Sequence, residues 1–465
     1  MKLNDMGITV VNAEPLDDKV IGEKYIPDIW ENKEKKIINE NIFAKYFCEV
    51  NKVVFANGLF YTKEGKVTQD AIEKDIWASI EKVGVNTNVE SKVKRLVGTV
   101  RLCGIPADDK PFEINPDLLP FHNGTLDLKD RTFYLGKVEP YPYRFKPDLL
   151  NTFTERKAPN FRKWLTDLFM PEDIPTIQQF LGYCLVPSTK AQKSLFLVGE
   201  GGAGKSVLGV ILQEMLGRNA MMSVTSTQDF LRDKFKMPEL ENKLVLYDDD
   251  LSSDALESTG IYKKLITNNL DITVDRKFGQ PFTMRPQIKL VCCCNEMLTS
   301  VYDQTDGFYR RLLPILIKPI SADFQPDLNF YDKIRAEIPI ITCWALQGLL
   351  RLIDNDWVLP ISQRTNDYLA ARKSLGNHLP DFVADCFTQD SNGTVTIRDI
   401  LAIYQKWCSL NSCSPVKDRT VQSYLVDNQT RLKIERTTKC LAADNHYCRG
   451  YKGMKIKPEW LNYTY

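Results

Sequence analysis

The fold of this chain is decided by the stretch Gly199-Glu200-Gly201-Gly202-Ala203-Gly204-Lys205-Ser206, which fits the phosphate-binding pattern G-x-x-x-x-G-K-[ST]. It directly follows the apolar run 194–198, which is typical of a buried strand, and precedes residues 207–212, which favour a helix. The glycines permit a tight turn, so that backbone N–H groups at the positive end of the helix face an anion. The stretch therefore predicts a nucleoside triphosphate site.

Two side chains in this stretch have the chemistry that a triphosphate needs. Lys205 is expected to reach the β- and γ-phosphates, and the Ser206 hydroxyl is expected to ligate Mg²⁺. The alternative is a glycine-rich turn with an incidental lysine, which the flanking strand and helix disfavour. The residues predicted to bind the nucleotide are Gly199, Gly201, Gly202, Ala203, Gly204, Lys205 and Ser206.

Length and charge limit the classes of protein to consider. At 465 residues the chain exceeds the usual size of one hydrophobic core, so several domains are expected. With 61 basic and 60 acidic side chains the net charge is +1, so any contact with DNA must be local. The start of the chain has no signal pattern, and no apolar run reaches about 18 residues, which predicts a cytoplasmic protein without a membrane partner.

The 12 cysteines predict reduced thiols rather than disulfides. Three of them are consecutive at 292–294 in an apolar run, and the rest lack the spacing of a disulfide framework. A group near the C-terminus leaves zinc open as an alternative, although it lacks the paired C-x-x-C knuckles of strong zinc sites. That group comprises Cys408, Cys413, Cys440, His446 and Cys448.

A second apolar run, 243–250, ends in three aspartates. Open parallel sheets of α/β proteins bind their ligands at the carboxyl ends of the strands, so these carboxylates are expected beside the phosphates. We assign Asp248 to Mg²⁺ and Asp249 to the attacking water, as base or orienter. The alternative is an acidic turn that caps a helix near Ser252.

Two further polar groups follow apolar runs. The run 288–296 reaches Asn295, whose amide is able to donate to a γ-phosphate oxygen or to the nucleophilic water, although asparagine also ends strands simply by turning the chain. Arg310 and Arg311 precede the next apolar run, and an arginine at a subunit boundary neutralises charge on the neighbour's γ-phosphate. We favour Arg311 over Arg310, and a surface ion pair is the alternative.

The segment 270–284 predicts a hairpin with a basic, aromatic and glycine-containing tip. Arg276, Lys277 and Phe278 at this tip suit DNA, because cations pair with phosphates and a ring offers a stacking face. A plain solvent-exposed hairpin is the alternative.

Periodicity predicts an α/β protein of five segments. They are an N-terminal α+β region over 1–110, a helical domain over 111–190, the phosphate-loop motor over 191–325, a helical module over 326–385 and a winged-helix-like domain over 386–465. In the last segment, helices at 397–407 and 418–428 precede basic strands at 432–436 and 451–457. A charged α+β cap without a nucleic-acid role is the alternative.

In this order, the phosphate loop, the aspartate strand, the basic hairpin, Asn295 and the arginine pair resemble the superfamily 3 helicases of viruses, phages and mobile elements. The sequence Asp275-Arg276-Lys277 looks like the hairpin element that separates this superfamily from other phosphate-loop ATPases. Segments at 123–127, 181–183, 344–348 and 451–453 resemble the poxvirus and phage or plasmid primase-helicase family. Too few residues precede the shared region for a primase domain, so we expect a helicase without one.

The resemblance implies an AAA+ ATPase that assembles as a homo-oligomer, a hexamer, around DNA and unwinds it with 3′→5′ polarity at an origin or fork. Its partners would be single-stranded and forked double-stranded DNA, with a separate primase or other replication proteins, in the bacterial host of a phage or mobile element. One departure is Asp248-Asp249 where many ATPases have Asp-Glu, which shortens the reach of the second carboxylate.

Two other functions remain open at this stage. The chain is alternatively an ATP-switched initiator whose main role is to recognise an origin through its C-terminal module. A small-molecule kinase shares the phosphate loop, but the basic hairpin and the length of the chain argue against it.

Overall fold

The architecture is given by a computed structural model. It describes residues 2–12, 29–56, 58–63, 65–85, 88–105, 115–137, 141–154, 157–251, 259–267, 271–275, 281–297, 306–320, 327–376, 378–411, 415–441 and 446–463. The chain divides into two compact units. The first comprises Met1–Ser253, Gly260–Met297 and Arg310–Asn366, and the second comprises Asp254–Thr259, Leu298–Tyr309 and Asp367–Tyr465.

The described residues contain the following elements. The strands are β1 (Thr9–Asn12), β2 (Trp30–Asn32), β3 (Ile37–Ile38), β4 (Val54–Ala56), β5 (Leu59–Thr62), β6 (Gly65–Val67), β7 (Leu118–Phe121), β8 (Gly124–Asp127), β9 (Thr132–Leu135), β10 (Ser194–Val198), β11 (Met221–Val224), β12 (Val245–Asp248), β13 (Ile272–Val274), β14 (Phe282–Met284), β15 (Lys289–Cys294), β16 (Leu312–Leu316), β17 (Phe387–Thr396), β18 (Glu435–Leu441) and β19 (Tyr447–Ile456). The helices are α1 (Glu40–Asn51), α2 (Gln69–Lys82), α3 (Val89–Cys103), α4 (Pro159–Leu168), α5 (Ile174–Tyr183), α6 (Val207–Leu216), α7 (Thr227–Arg232), α8 (Thr259–Thr267), α9 (Asp306–Tyr309), α10 (Phe330–Asp354), α11 (Gln363–Gly376), α12 (Leu379–Cys386), α13 (Ile397–Leu410), α14 (Asp418–Asp427) and α15 (Gln429–Leu432).

A five-stranded parallel sheet with the order β11-β12-β15-β10-β16 forms the centre of the first unit. Strands β10 and β15 are buried along their whole length, as the continuous apolar runs predict for a parallel sheet covered on both faces. The glycine-rich loop joins β10 directly to α6. The α/β class predicted from the sequence is therefore confirmed, and the loop lies at the carboxyl edge of the sheet.

Helices α5 and α10 pack closely in the core of the first unit. A Cβ atom on Gly182 would lie 2.3 Å from the Ala345 carbonyl oxygen, and one on Gly348 would lie 2.3 Å from the Gln178 carbonyl oxygen. The two helices can lie this close together only because both positions are glycine. Helix α10 is long and apolar enough to span a membrane by composition, but 67% of its most apolar window is buried inside the protein, as in a core helix.

The N-terminal part of this unit contains smaller sheets. Strands β4, β5 and β6 form an antiparallel meander against α1, α2 and α3. Strands β7, β8 and β9 form a second antiparallel sheet, to which β1 adds in parallel.

After α9 and most of α11, the second unit contains, in chain order, α12, β17, α13, α14, α15, β18 and β19, with the sheet order β17-β19-β18. Helices α13 and α14 confirm the two that were expected. Strand β17 was missed, because only two helices and two basic strands were predicted in this segment. Its mostly exposed polar residues carry little local signal, and its pairing partner β19 lies some fifty residues further along the chain. The strand expected at 432 begins only at Glu435, because α15 continues to Leu432 and the next residue, Lys433, has the left-handed conformation with φ 50°.

Candidate nucleotide site

The glycine-rich loop has the backbone that its sequence predicts. Gly202 and Gly204 have φ values of 81° and 88°, and Gly199 has φ 155°, conformations that other residues rarely adopt. A Cβ atom on Gly199 would also lie 2.2 Å from a side-chain carbon of Ile317. The loop thus exists only with glycine at these positions, and it turns the chain from β10 into α6.

Lys205 and Asn295 meet at this edge of the sheet. The Lys205 ammonium donates to the carbonyl oxygens of Gly199 and Glu200, the latter at 3.0 Å, and to Oδ1 of Asn295 at 3.2 Å. All three acceptors are neutral, and an ammonium group makes stronger hydrogen bonds to charged phosphate oxygens than to neutral acceptors. The lysine and the asparagine that the sequence predicted are therefore brought together from two neighbouring strands, β10 and β15.

Ser206 meets Asp249. The Ser206 hydroxyl donates to Oδ2 of Asp249 at 2.9 Å, and the Tyr247 hydroxyl donates to Oδ1 of the same carboxylate. Asp249 is exposed, whereas Tyr247 is buried, and this burial raises the pKa of the phenol well above its usual value. The tyrosine ring lies against Gly209 of α6, where a Cβ atom would come within 2.6 Å of it. Both oxygens of Asp249 are thus fixed from opposite sides, and sequence reasoning missed the contribution of Tyr247.

Asp248 occupies a different environment. Its side chain is 1% exposed, and its Oδ2 atom accepts from the backbone N–H of Thr227 at 2.7 Å, at the start of α7. Its Oδ1 atom accepts from the N–H of Asp250 at 3.3 Å. Successive strand residues face opposite sides of a sheet, so Asp248 holds the backbone while the next residue reaches Ser206. Asp249, and not Asp248, therefore lies beside the serine. From the sequence, Asp248 is instead assigned to Mg²⁺ and Asp249 to the attacking water.

The two arginines differ in accessibility. Arg310 is exposed, whereas Arg311 is 8% exposed. Burial raises the pKa of the Tyr262 phenol in α8, and the nearby charge of Arg311 lowers it by a smaller amount. The backbone carbonyl of Arg311 also accepts from Ser194 N–H at 2.9 Å, at the start of β10. The sequence favoured Arg311 as the group that reaches a neighbouring subunit, but burial favours Arg310.

A residue outside the motor segment also contacts the loop. The indole N–H of Trp164 in α4 donates to the Gly204 carbonyl oxygen at 3.0 Å. Trp164 is buried and stacks against Phe161, with ring centroids 5.8 Å apart. The helix that precedes the motor therefore fixes one peptide of the loop, a contact that no local sequence pattern signals.

Arg276, Lys277 and Phe278 lie outside the described residues. The strands on either side of them, β13 and β14, pair in an antiparallel hairpin. At its base Arg285 pairs with Asp271 at 2.8 Å. The hairpin that the sequence predicted is present, and its tip is not described.

The described cysteines, which exclude Cys413, are all free. Burial raises the pKa of several of these thiols, including that of Cys293 to about 12. Within the described ranges no group of three or more His, Cys, Asp and Glu side chains is arranged to hold a metal ion. The oxygen donors for a cation at this edge are those of Ser206 and the neighbouring aspartates.

Comparisons with known proteins match both halves of the first unit. A family model described as D5 N terminal like matches residues 30–170, and one described as a family of unknown function, DUF5906, matches residues 197–311. A putative helicase L207/L206 of Acanthamoeba polyphaga mimivirus is 28% identical over 396 residues, which cover 75% of this chain and 40% of that protein. The chain thus spans about two fifths of the length of this relative.

Two solved structures are also similar to this chain. The apo A form of the NrS-1 C-terminal region is 14% identical with a TM-score of 0.46, covering 84% of this chain and 87% of that one. JCV helicase bound to a thiazolopyridine compound is 13% identical with a TM-score of 0.29, covering 50% of this chain and 67% of that one.

Proposed function

We propose that this chain, a member of the superfamily 3 primase-helicase family, hydrolyses ATP and uses the energy to unwind DNA. The observation that carries the proposal is the meeting of Lys205, Ser206, Asp249 and Asn295 at the carboxyl edge of one parallel sheet. A cation, a hydroxyl, a carboxylate and an amide are the groups that hold a triphosphate with its metal and a water molecule.

The donors fit Mg²⁺, which prefers oxygen ligands. Ser206 and Asp249 would hold it, because their oxygens are 2.9 Å apart and the carboxylate is exposed. When bound, the ion would supply charge neutralisation at the β- and γ-phosphates. Asp248 has the same chemistry, but backbone N–H groups engage both of its oxygens. We therefore move the metal role from Asp248 to Asp249.

The role of orienting the attacking water then passes to Asn295. Asp250 is exposed and follows Asp249 directly where the chain leaves β12, but the alternation that turns Asp248 away from Ser206 turns Asp250 away as well. Asn295, held beside Lys205, donates its amide N–H to the γ-phosphate or to the same water.

A second subunit completes the site in this proposal. Arg310 is exposed near the start of β16, and its guanidinium would neutralise the γ-phosphate bound by the neighbouring protomer. Hydrolysis would then require a homo-oligomer, which the family resemblance makes a hexamer around DNA. The tip residues Arg276, Lys277 and Phe278 would contact that DNA.

A second candidate function, favoured by features of the second unit, is that of an ATP-switched initiator. We infer that this unit is of the winged-helix type, because it has the order helix, strand, three helices and two strands. Exposed basic side chains along β18 and β19, among them Arg436, Lys439 and Lys452, suit a DNA backbone. Sequence-selective duplex binding by wild-type protein that never displaces a strand would favour this reading.

Purified Lys205→Ala protein tests the main proposal. We expect it to fold, to bind forked DNA and to lose ATP hydrolysis and strand displacement, because the cation that holds the phosphates is gone. Lys193→Ala is the matched control, since that lysine lies just ahead of β10 and its ammonium contacts the Arg310 carbonyl oxygen. ATP-driven unwinding by the Lys205 variant at the wild-type rate would reject the proposal.

A further inference from the structure

A basic cleft of about 640 Å³ lies in the first unit, away from the nucleotide site. Its walls come from the turns around β7 and β8, from the segments that lead into β10 and β15, and from the end of α10. The charged residues of the lining are Lys129, Arg131, Lys190, Arg285 and Asp117. Four cations thus face one carboxylate, in a protein whose net charge is only +1.

The cleft is at the opposite edge of the sheet from the phosphate loop. Residues 187–190 precede β10, whereas Gly199 follows it, and residues 285–287 precede β15, whereas Asn295 follows it. A strand of five residues spans roughly 17 Å. A ligand in this cleft is therefore distinct from the nucleotide held by Lys205.

One aromatic ring lines the cleft and is held there by a strained turn. Trp357 has φ 64° and Asp356 has φ 49°, and a bulky side chain in this left-handed region is uncommon. The N–H of Trp357 donates to the Leu352 carbonyl oxygen at 2.8 Å, and its ring packs edge-on against Tyr183. The Lys190 ammonium lies 5.2 Å from the ring centroid. The turn and these contacts fix a half-exposed ring beside a cation.

Two of the four cations have exchangeable partners. Arg131 pairs with Asp354, and Arg285 pairs with Asp271 at 2.8 Å. More than a third of each Arg285–Asp271 side chain is exposed, and such surface pairs contribute little to stability. A phosphate can therefore replace the carboxylate at modest cost. Arg285 also directly follows β14, so the cleft is continuous along the chain with the base of the basic hairpin.

We propose that this cleft binds single-stranded DNA, with phosphates on Lys129, Arg131, Lys190 and Arg285 and a base stacked on Trp357. A cationic groove with an aromatic platform is the arrangement that proteins use for single strands without sequence preference. The proposal rests on the proposed DNA function and adds a second contact to the hairpin tip. The cleft would hold the strand at the edge of the sheet that does not bind nucleotide.

The test measures binding of a labelled oligothymidylate of about 20 nucleotides to the full chain by fluorescence anisotropy at several salt concentrations. For Lys129→Gln/Lys190→Gln we expect weaker binding and a slope of log affinity against log salt that is smaller by about 1.4, or about 0.7 for each lost phosphate contact. Lys45→Gln/Lys74→Gln is the matched control, because both lysines are exposed and lie outside the cleft. Basal ATP hydrolysis should be unchanged in both.

Substitution of the ring gives an independent readout. Trp357→Leu keeps an apolar contact with Tyr183 and should weaken binding about 5- to 100-fold, whereas Trp357→Phe should restore most of it. Wild-type affinity and salt slope in all cleft variants would overturn the cleft proposal alone, and an acidic peptide would become the better occupant. Failure of the wild-type protein to bind the oligonucleotide would instead remove the DNA function on which the proposal rests.

Discussion

In the proposed nucleotide site the neighbouring residues Asp248 and Asp249 have different roles, which substitution should separate. Asp249→Asn should lower kcat for ATP hydrolysis by about 100-fold or more with an unchanged unfolding midpoint, because the carboxylate beside Ser206 is lost. Asp248→Ala should instead lower the free energy of unfolding by about 1–3 kcal/mol, because the buried N–H of Thr227 and the part-buried N–H of Asp250 lose their acceptor. Steady-state kinetics and thermal unfolding of the two proteins distinguish these effects. The reverse pattern would return the metal role to Asp248.

A buried lysine makes stability depend on pH. Lys289 is fully buried, its ammonium donates to the Val186 and Gln287 carbonyl oxygens, and burial lowers its pKa to about 7 from the usual 10.5. Between these values the unfolded chain binds a proton that the native chain lacks, so this group makes the free energy of unfolding rise with pH from about 7 to above 10. Lys289→Met should reduce this increase in the free energy of unfolding by a few kcal/mol. Urea unfolding at a series of pH values measures it, and an equally steep rise in the variant would contradict the assignment.

At the scale of elements, the contact between α5 and α10 depends on two glycines. Gly182→Ala would place a methyl group against backbone atoms of α10, so the helices must separate, and we expect a loss of about 1–3 kcal/mol or more. Gly98→Ala in α3 is the control, since no atom lies within 4 Å of the added methyl group, and it should stabilise the protein by about 1 kcal/mol. Denaturant unfolding compares the two. Equal stabilities would show that the helices tolerate a wider spacing.

At the scale of the whole molecule, the proposed site is shared between protomers. Arg310→Ala should lower kcat about 1000-fold while ATP binding persists, because the arginine acts on the neighbour's phosphate. Mixing this variant with Lys205→Ala should restore part of the activity, since some interfaces then combine an intact loop with an intact arginine. ATPase assays of the mixture, with mass determination in ATP analogue and forked DNA, measure this. A mixture no more active than its components, or a protein that stays monomeric, would exclude a shared site.

The sequence by itself determined the centre of the first unit. Glycine spacing predicted the turn between β10 and α6, and the continuous apolar runs at β10 and β15 predicted a buried parallel sheet, because both patterns are local along the chain. It also placed Asn295 at the end of its strand and beside Lys205, since the carboxyl ends of parallel strands meet at one edge.

Only the tertiary structure decided which of several chemically equivalent side chains serves the site. Asp248 is the buried last residue of β12, whereas Asp249 follows the strand and is exposed. Arg310 is exposed, whereas Arg311 is buried. The contacts of Trp164 and Tyr247, and the cleft around Trp357, join segments far apart in the sequence. Burial and hydrogen bonding of this kind arise from packing between elements, so no window of sequence contains them.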